Sequence, residues 1–104
     1  MSLDIKTTYI ERETVWCVEL VGEIDIYTAN KFREMFEELY EKKRENIEID
    51  AKNLDYIDST GLGVMIGALK KLRKENKKIT IINVKSNIKR VLEITGIDKI
   101  FIEN

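Results

Sequence analysis

The stretch NIEIDAKNLDYIDSTGLGVMIGALKKLRKENKKITIINV, residues 46–84, decides the fold. It opens with Ile47, Ile49 and Ala51 alternating with Glu48 and Asp50, the period of a half-buried strand. A loop is expected to follow through Leu54 and Ile57. Leu62, Met65, Ile66, Leu69 and Leu72 then recur at helical spacing, which predicts a helix over 60–76 with these residues as its buried stripe. Residues 79–84 form a short, nearly continuous apolar run, the pattern of a strand covered on both faces. Strand, helix and strand in that order make a βαβ unit, with parallel neighbours joined by a right-handed crossover.

Upstream, Leu3, Ile5, Thr7 and Tyr9 share one face of a strand over 3–9. Residues 14–21 form a second strand with Trp16, Val18 and Leu20 on one face, and the polar Glu11-Arg12-Glu13 joins the two as an antiparallel hairpin. Gly22-Glu23-Ile24-Asp25 ends the second strand. Ala29, Phe32, Phe36, Leu39 and Tyr40 then predict a helix over 27–42, with Thr28 or Asp25 as its cap. Downstream, Ser86 is the N-cap candidate of a third helix through Ile88, Val91, Leu92 and Thr95. Gly96 stands where a left-handed residue would end that helix, with Ile97 as the accompanying apolar contact. Residues 99–102 are expected to close the chain as a last strand. The expected fold class is α/β: one domain over 1–104, an N-terminal β-hairpin followed by α-β-α-β-α-β, with a mostly parallel sheet packed by helices. Ligands on such sheets bind beyond the carboxyl ends of the strands, which makes 22–25 and 55–61 the working edge.

Composition excludes several classes of function. The 104 residues suit one ordinary domain, and 43% of them are hydrophobic, as in a globular chain. Charged residues reach 36%, yet the formal net charge is −1, so nothing draws the chain as a whole toward nucleic acid or an acidic membrane. No histidine is present, so neither a Ser-His-Asp triad nor a histidine-containing zinc site can be built. Cys17 is the single cysteine, set among Val15, Trp16 and Val18; a buried, inert thiol is expected, with a redox role as the alternative. No apolar run approaches the ~20 residues of a membrane span and no signal-peptide pattern opens the chain, so a cytoplasmic location is expected. P-loop, GxGxxG and GxSxG motifs are all missing. The basic run Lys70-Lys71-Leu72-Arg73-Lys74 reads as the solvated, C-terminal part of a helix.

The chemistry-bearing segment is Asp58-Ser59-Thr60-Gly61-Leu62-Gly63. Three of the five glycines, Gly61, Gly63 and Gly67, fall at the start of one helix, where each costs about 1 kcal/mol relative to alanine. Gly63 and Gly67 are one turn apart and, with Thr60, leave a smooth strip. Either this helix packs closely on its own sheet, or another backbone approaches it. Ser59 stands at the helix mouth, where unpaired N–H groups and the dipole favour an anion, so a phosphate on its hydroxyl would be accommodated. The plainer alternative is an N-cap. Asp25, Asp55 and Asp58 are expected to converge near Ser59, but no spacing specifies a metal site, and Asp58 is expected to cap the helix or orient the serine.

These residues carry a family resemblance. Asp58-Ser59-Thr60-Gly61-Leu62-Gly63-Val64 resembles the signature of the STAS domain in bacterial anti-sigma-factor antagonists. Gly22-Glu23-Ile24-Asp25 with Thr28-Ala29 resembles that family's first block. Val91-Leu92-Glu93-Ile94-Thr95-Gly96-Ile97 resembles its third-helix block, and the three occur in family order. The resemblance implies a non-enzymatic binding module that docks on an anti-sigma-factor serine kinase and thereby frees a sigma factor. The kinase would phosphorylate Ser59, or alternatively Thr60, which stands where many members carry a second serine. A serine phosphatase would reset the switch. ATP and magnesium would belong to the kinase, and the chain itself would need no cofactor or metal. The partner surface implied is Asp25, Asp58, Ser59, Thr60, Gly61, Gly63 and Gly67. The alternative within the same family is an unphosphorylated accessory subunit of a lipid or anion transport complex.

Overall fold

A four-stranded sheet organises the computed structural model, which describes residues 2–102. Met1, Glu103 and Asn104, the remaining positions of the expected 1–104 unit, lie outside the described residues. Strands β1 (Leu3–Ile10) and β2 (Val15–Ile24) form the expected hairpin, with Leu3 opposite Gly22 and Ile10 opposite Val15. Helix α1 (Ala29–Lys42) leads to β3 (Asn46–Ile57), helix α2 (Ser59–Arg73) to β4 (Ile79–Ile82), and helices α3 (Ser86–Ile94) and α4 (Asp98–Phe101) follow. The sheet order is β1-β2-β3-β4, antiparallel in the first pair and parallel in the others.

Side-chain alternation sorts the sheet into two unlike faces. Trp16, Val18 and Leu20 of β2, Ile47, Ile49 and Ala51 of β3, and Ile79 and Ile81 of β4 join one core with Phe32, Phe36 and Leu39 of α1 and Leu62, Met65 and Leu69 of α2. Each such Leu, Ile or Phe contributes about 1.5–3 kcal/mol by leaving water. The opposite face carries Cys17, Glu19, Glu48, Asp50, Thr80 and Ile82, all half-buried or exposed. The expectation that residues 79–84 are covered on both faces is therefore corrected. Thr80 and Ile82 alternate with the buried Ile79 and Ile81, and Asn83 ends the strand with a left-handed φ of 56°. An apolar run alone does not distinguish one covered face from two. Cys17 is half-buried rather than buried; burial first, then the charges of Glu48, Glu13 and Glu19, push its thiol up, away from the reactive thiolate.

Three further expectations are corrected. The loop expected after Ala51 is strand: β3 runs on to Ile57, with register shifts against β2 between Glu19 and Val21 and between Gly22 and Glu23. Each shift sets an extra β3 residue against β2, so the buried positions drift from Ala51 to Leu54 to Ile57 and the period of two is lost. The last strand expected over 99–102 is instead the helical turn α4, closed by the Ile102 N–H donating to the Asp98 carbonyl at 2.8 Å and anchored by buried Phe101. Ser86 is the first helical residue of α3 and makes no capping hydrogen bond; Lys85 holds the cap position.

The end of α3 follows the expected pattern. Gly96 has φ 76°, its N–H donates to Glu93, and the Ile97 N–H donates to Leu92. Those two bonds and the left-handed residue make a Schellman motif. Asn76, φ 59°, ends α2 in the same way through bonds from Asn76 to Arg73 and from Lys77 to Leu72.

Candidate functional site

Strands β2 and β3 finish together, Ile24 opposite Ile57, and the Asp58 N–H donates to the Ile24 carbonyl at 3.1 Å. The two segments expected at the working edge therefore lie side by side. Because the strands are parallel and each is followed at once by a helix, α1 and α2 start from this edge and run back level with one another.

Each helix start uses an aspartate. Asp25 is buried, and its Oδ1 accepts from the N–H groups of Tyr27 at 2.8 Å and Thr28 at 3.1 Å. Thr28 Oγ1 accepts in return from the Asp25 N–H at 2.9 Å and donates to the Glu23 carbonyl at 2.8 Å. This reciprocal pair repeats the bonding of a capping box one turn early: it fixes the turn 25–28, while Thr28, the N-cap of α1, makes no side-chain capping bond to the helix that begins at Ala29. Tyr27, expected as the first residue of the helix, belongs to that turn; Ile26 and Tyr27 stand 66% and 81% exposed on it. At α2 the cap is Asp58, whose Oδ1 accepts from the Gly61 N–H at 3.1 Å.

The serine is left free. Ser59 is the first residue of α2 and exposed, and no described residue hydrogen-bonds to its hydroxyl. The N–H groups of Ser59 and Thr60 have no intrahelical acceptor by position, so donors and hydroxyl face the same mouth. Asp58 serves as the cap, and the plainer reading of Ser59 as the N-cap does not hold.

The three carboxylates expected near Ser59 each have a partner of their own. Asp25 is used in its turn and Asp58 in its cap. Asp55 pairs instead with the Lys85 ammonium, while its carbonyl accepts from Asn87 Nδ2 at 2.9 Å. Among the described residues no three carboxylate or thiol groups lie together as a metal would need.

The three glycines of α2 divide. A Cβ on Gly61 would come within 2.6 Å of Ile24 Cγ2 and 2.8 Å of Ile57 Cγ1. Gly61 is buried and lets α2 sit down on the sheet, so of the two readings for these glycines it takes the internal one. A Cβ on Gly63 or Gly67 would meet nothing within 4 Å. Those two, with Ser59 and Thr60, form one wall of a groove of about 420 Å³ between α1 and α2. The other wall is Arg33, Phe36, Glu37 and Tyr40 of α1, and Val64, Ala68 and Leu72 add apolar lining.

Sequence reasoning missed the α1 wall. Phe36 and Tyr40 were read only as part of the apolar stripe, and Arg33 and Glu37, one turn apart, flank it; that periodicity was the only available signal. The two ends of the groove differ. At the end away from Ser59, Arg44 and Lys71 stack on the Tyr40 ring at 4.5 and 4.8 Å, and Lys77 pairs with Glu45 at 2.9 Å. That hydrogen bond, first among the causes, lowers the Glu45 carboxyl below its ordinary value.

The pattern of the STAS domain matches residues 6–104. The anti-sigma-B factor antagonist of Staphylococcus aureus (strain NCTC 8325 / PS 47) is 35% identical over 97 residues, covering 93% of this chain and 88% of that protein. The protein of the same name from Staphylococcus epidermidis is 33% identical with the same coverage, 93% and 88%. Among solved structures, an anti-sigma factor antagonist from Mycobacterium paratuberculosis superposes with a TM-score of 0.81 at 24% identity, covering 96% of this chain and 83% of that one. The unphosphorylated form of the anti-sigma factor antagonist SpoIIAA gives 0.74 at 17% identity, covering 97% and 88%. At these identities the structures attest the fold. No helix among the described residues is long and apolar enough to cross a membrane.

Proposed function

The chain belongs to the STAS-domain family of anti-sigma-factor antagonists, and we propose that it works as a phosphorylation-switched binding module of the bacterial cytoplasm rather than as an enzyme. Its unphosphorylated form docks on an anti-sigma serine kinase over the Ser59 edge and frees the sigma factor that the kinase holds. The observation that carries this reading is the Ser59 hydroxyl: exposed, without a hydrogen bond to any described residue, directly after a capping aspartate and on the wall of a groove.

The modification needs little from this chain. Ser59 Oγ attacks the γ-phosphorus of ATP held with magnesium by the kinase. The new O–P bond forms as the bond to the bridging β,γ-oxygen breaks, ADP leaves, and the hydroxyl proton passes to a base on the kinase. The product carries about −1.5 to −2 charges at neutral pH beside Asp58. Helix α2 offsets part of that locally by roughly 0.3–1 kcal/mol, so the fold survives. A partner pressed onto the edge must desolvate the dianion, and binding falls. A serine phosphatase restores the hydroxyl.

Ile26 and Tyr27 extend the docking edge, since the Asp25–Thr28 bonds present two large side chains in a fixed turn, the kind of preorganised anchor that dominates interfaces. The tagged chain recovered from its native host tests the reading. The expected result is a co-purifying protein kinase with a sigma factor as its other ligand, and, after MgATP, one phosphate on Ser59. Recovery of a transport ATPase without phosphorylation would overturn it in favour of a transport subunit.

A further inference from the structure

Arg33 lies one turn into α1 and lines the groove opposite Ser59, Thr60 and Gly63. Since α1 and α2 start level at the same sheet edge, Arg33 and Ser59 share the open end of that groove. Arg33 is exposed and donates from Nη1 to Asn30 Oδ1 at 2.5 Å on its own helix. A guanidinium has five N–H donors in a fork that matches phosphate oxygens, so that contact leaves most of its capacity unused. Apart from the backbone of α2 itself, no described atom lies within 4 Å of where a Gly63 side chain would start, so no side chain stands on α2 at that point of the groove.

We propose that Arg33 is the counter-ion of phosphorylated Ser59. The guanidinium reaches across the vacancy at Gly63, pairs with the phosphate, and ties α1 to α2 at the mouth of the groove. The proposal rests on the reading of Ser59 as the modified residue and adds how the modified form is held. Release of the partner then has two parts, the charge on the edge and a groove bridged at its open end. The other charged groups at this end oppose the pairing: Asp58 precedes Ser59, and Glu37 stands one turn beyond Arg33. Lys71, on the same groove, is held at the Tyr40 ring.

The test needs no kinase, because phosphoserine is installed at position 59 during translation. Phosphorus NMR follows the second ionisation of the phosphate in the wild type, Arg33→Lys and Arg33→Ala, with far-UV dichroism confirming the fold. Because helix α2 is the same in all three, differences report Arg33 alone. The midpoint is expected lowest in the wild type and about 0.2–0.7 pH units higher in Arg33→Ala, the size set by a solvent-exposed ion pair. Arg33→Lys should fall between them, since it keeps the charge and loses the fork. Equal midpoints, or a lower one in Arg33→Ala, would overturn the counter-ion while leaving the antagonist reading to stand or fall by co-purification.

Discussion

The two faces of helix α2 use glycine for opposite reasons. On the sheet side, Gly61 is a packing device: Ile24 and Ile57 occupy the space that a methyl group would need. On the groove side, Gly63 and Gly67 touch nothing where a side chain would begin, so internal packing gives no reason for them. Each weakens the helix by roughly 1 kcal/mol relative to alanine. One face is thus optimised for the fold, while the other gives up stability to keep a groove open. The comparison shows that a glycine count marks a segment as unusual without saying why, and only the neighbours decide.

Filling the closed face should produce the largest effect on folding. Gly61→Ala is expected to lower stability by about 1–3 kcal/mol through overpacking, read by urea denaturation. A neutral or stabilising result would mean that Ile24 and Ile57 move aside freely, and the contrast would collapse. The second test is on binding. Gly67→Leu is expected to weaken the kinase complex about tenfold or more, about 1.4 kcal/mol, with the thermal midpoint not lowered. A large loss of folding stability would show that the open face packs internally after all.

Smaller changes sharpen the same contrast. Gly63→Ala and Gly67→Ala should each raise stability by about 0.4–1 kcal/mol, the opposite sign to Gly61→Ala. A decrease in either would break the comparison at that residue. The smallest effect belongs to the fixed end of the groove. The carboxyl of Glu45 is held below its ordinary value of 4.5, first by the hydrogen bond from Lys77. Its contribution is therefore present above the unfolded value and is lost as pH falls through the folded one. Glu45→Gln should flatten the acid side of the stability profile slightly, since the pair is partly solvated. An unchanged slope below pH 4.5 would show that the pair does nothing for the fold.

Much of this architecture could be read from periodicity. The hairpin, α1, α2 and the Gly96 ending of α3 all follow from local pattern and turn chemistry. The second half of β3 could not be read, because its register shifts destroy the alternation between Ala51 and Ile57. Residues 98–101 misled for another reason: four residues are too few to separate a helical turn from a strand, and burial of Phe101 settles the matter. At the site, Ser59 and its capping aspartate were legible as a local motif. Arg33 and the α1 wall were not, since they meet α2 only through the tertiary fold. The partners of the carboxylates were not legible either: Asp25 accepts from turn N–H groups and Asp55 pairs with Lys85, a residue 30 positions away.

Titration calorimetry of the cognate kinase against the unphosphorylated chain and the chain phosphorylated on Ser59 tests the central claim most directly. Ser59→Ala serves as the reference that cannot be modified. The unphosphorylated chain and Ser59→Ala should bind alike, and the phosphorylated chain should bind at least tenfold more weakly, a difference of about 1.4 kcal/mol or more. Equal affinity of the phosphorylated and unphosphorylated chains would contradict the account.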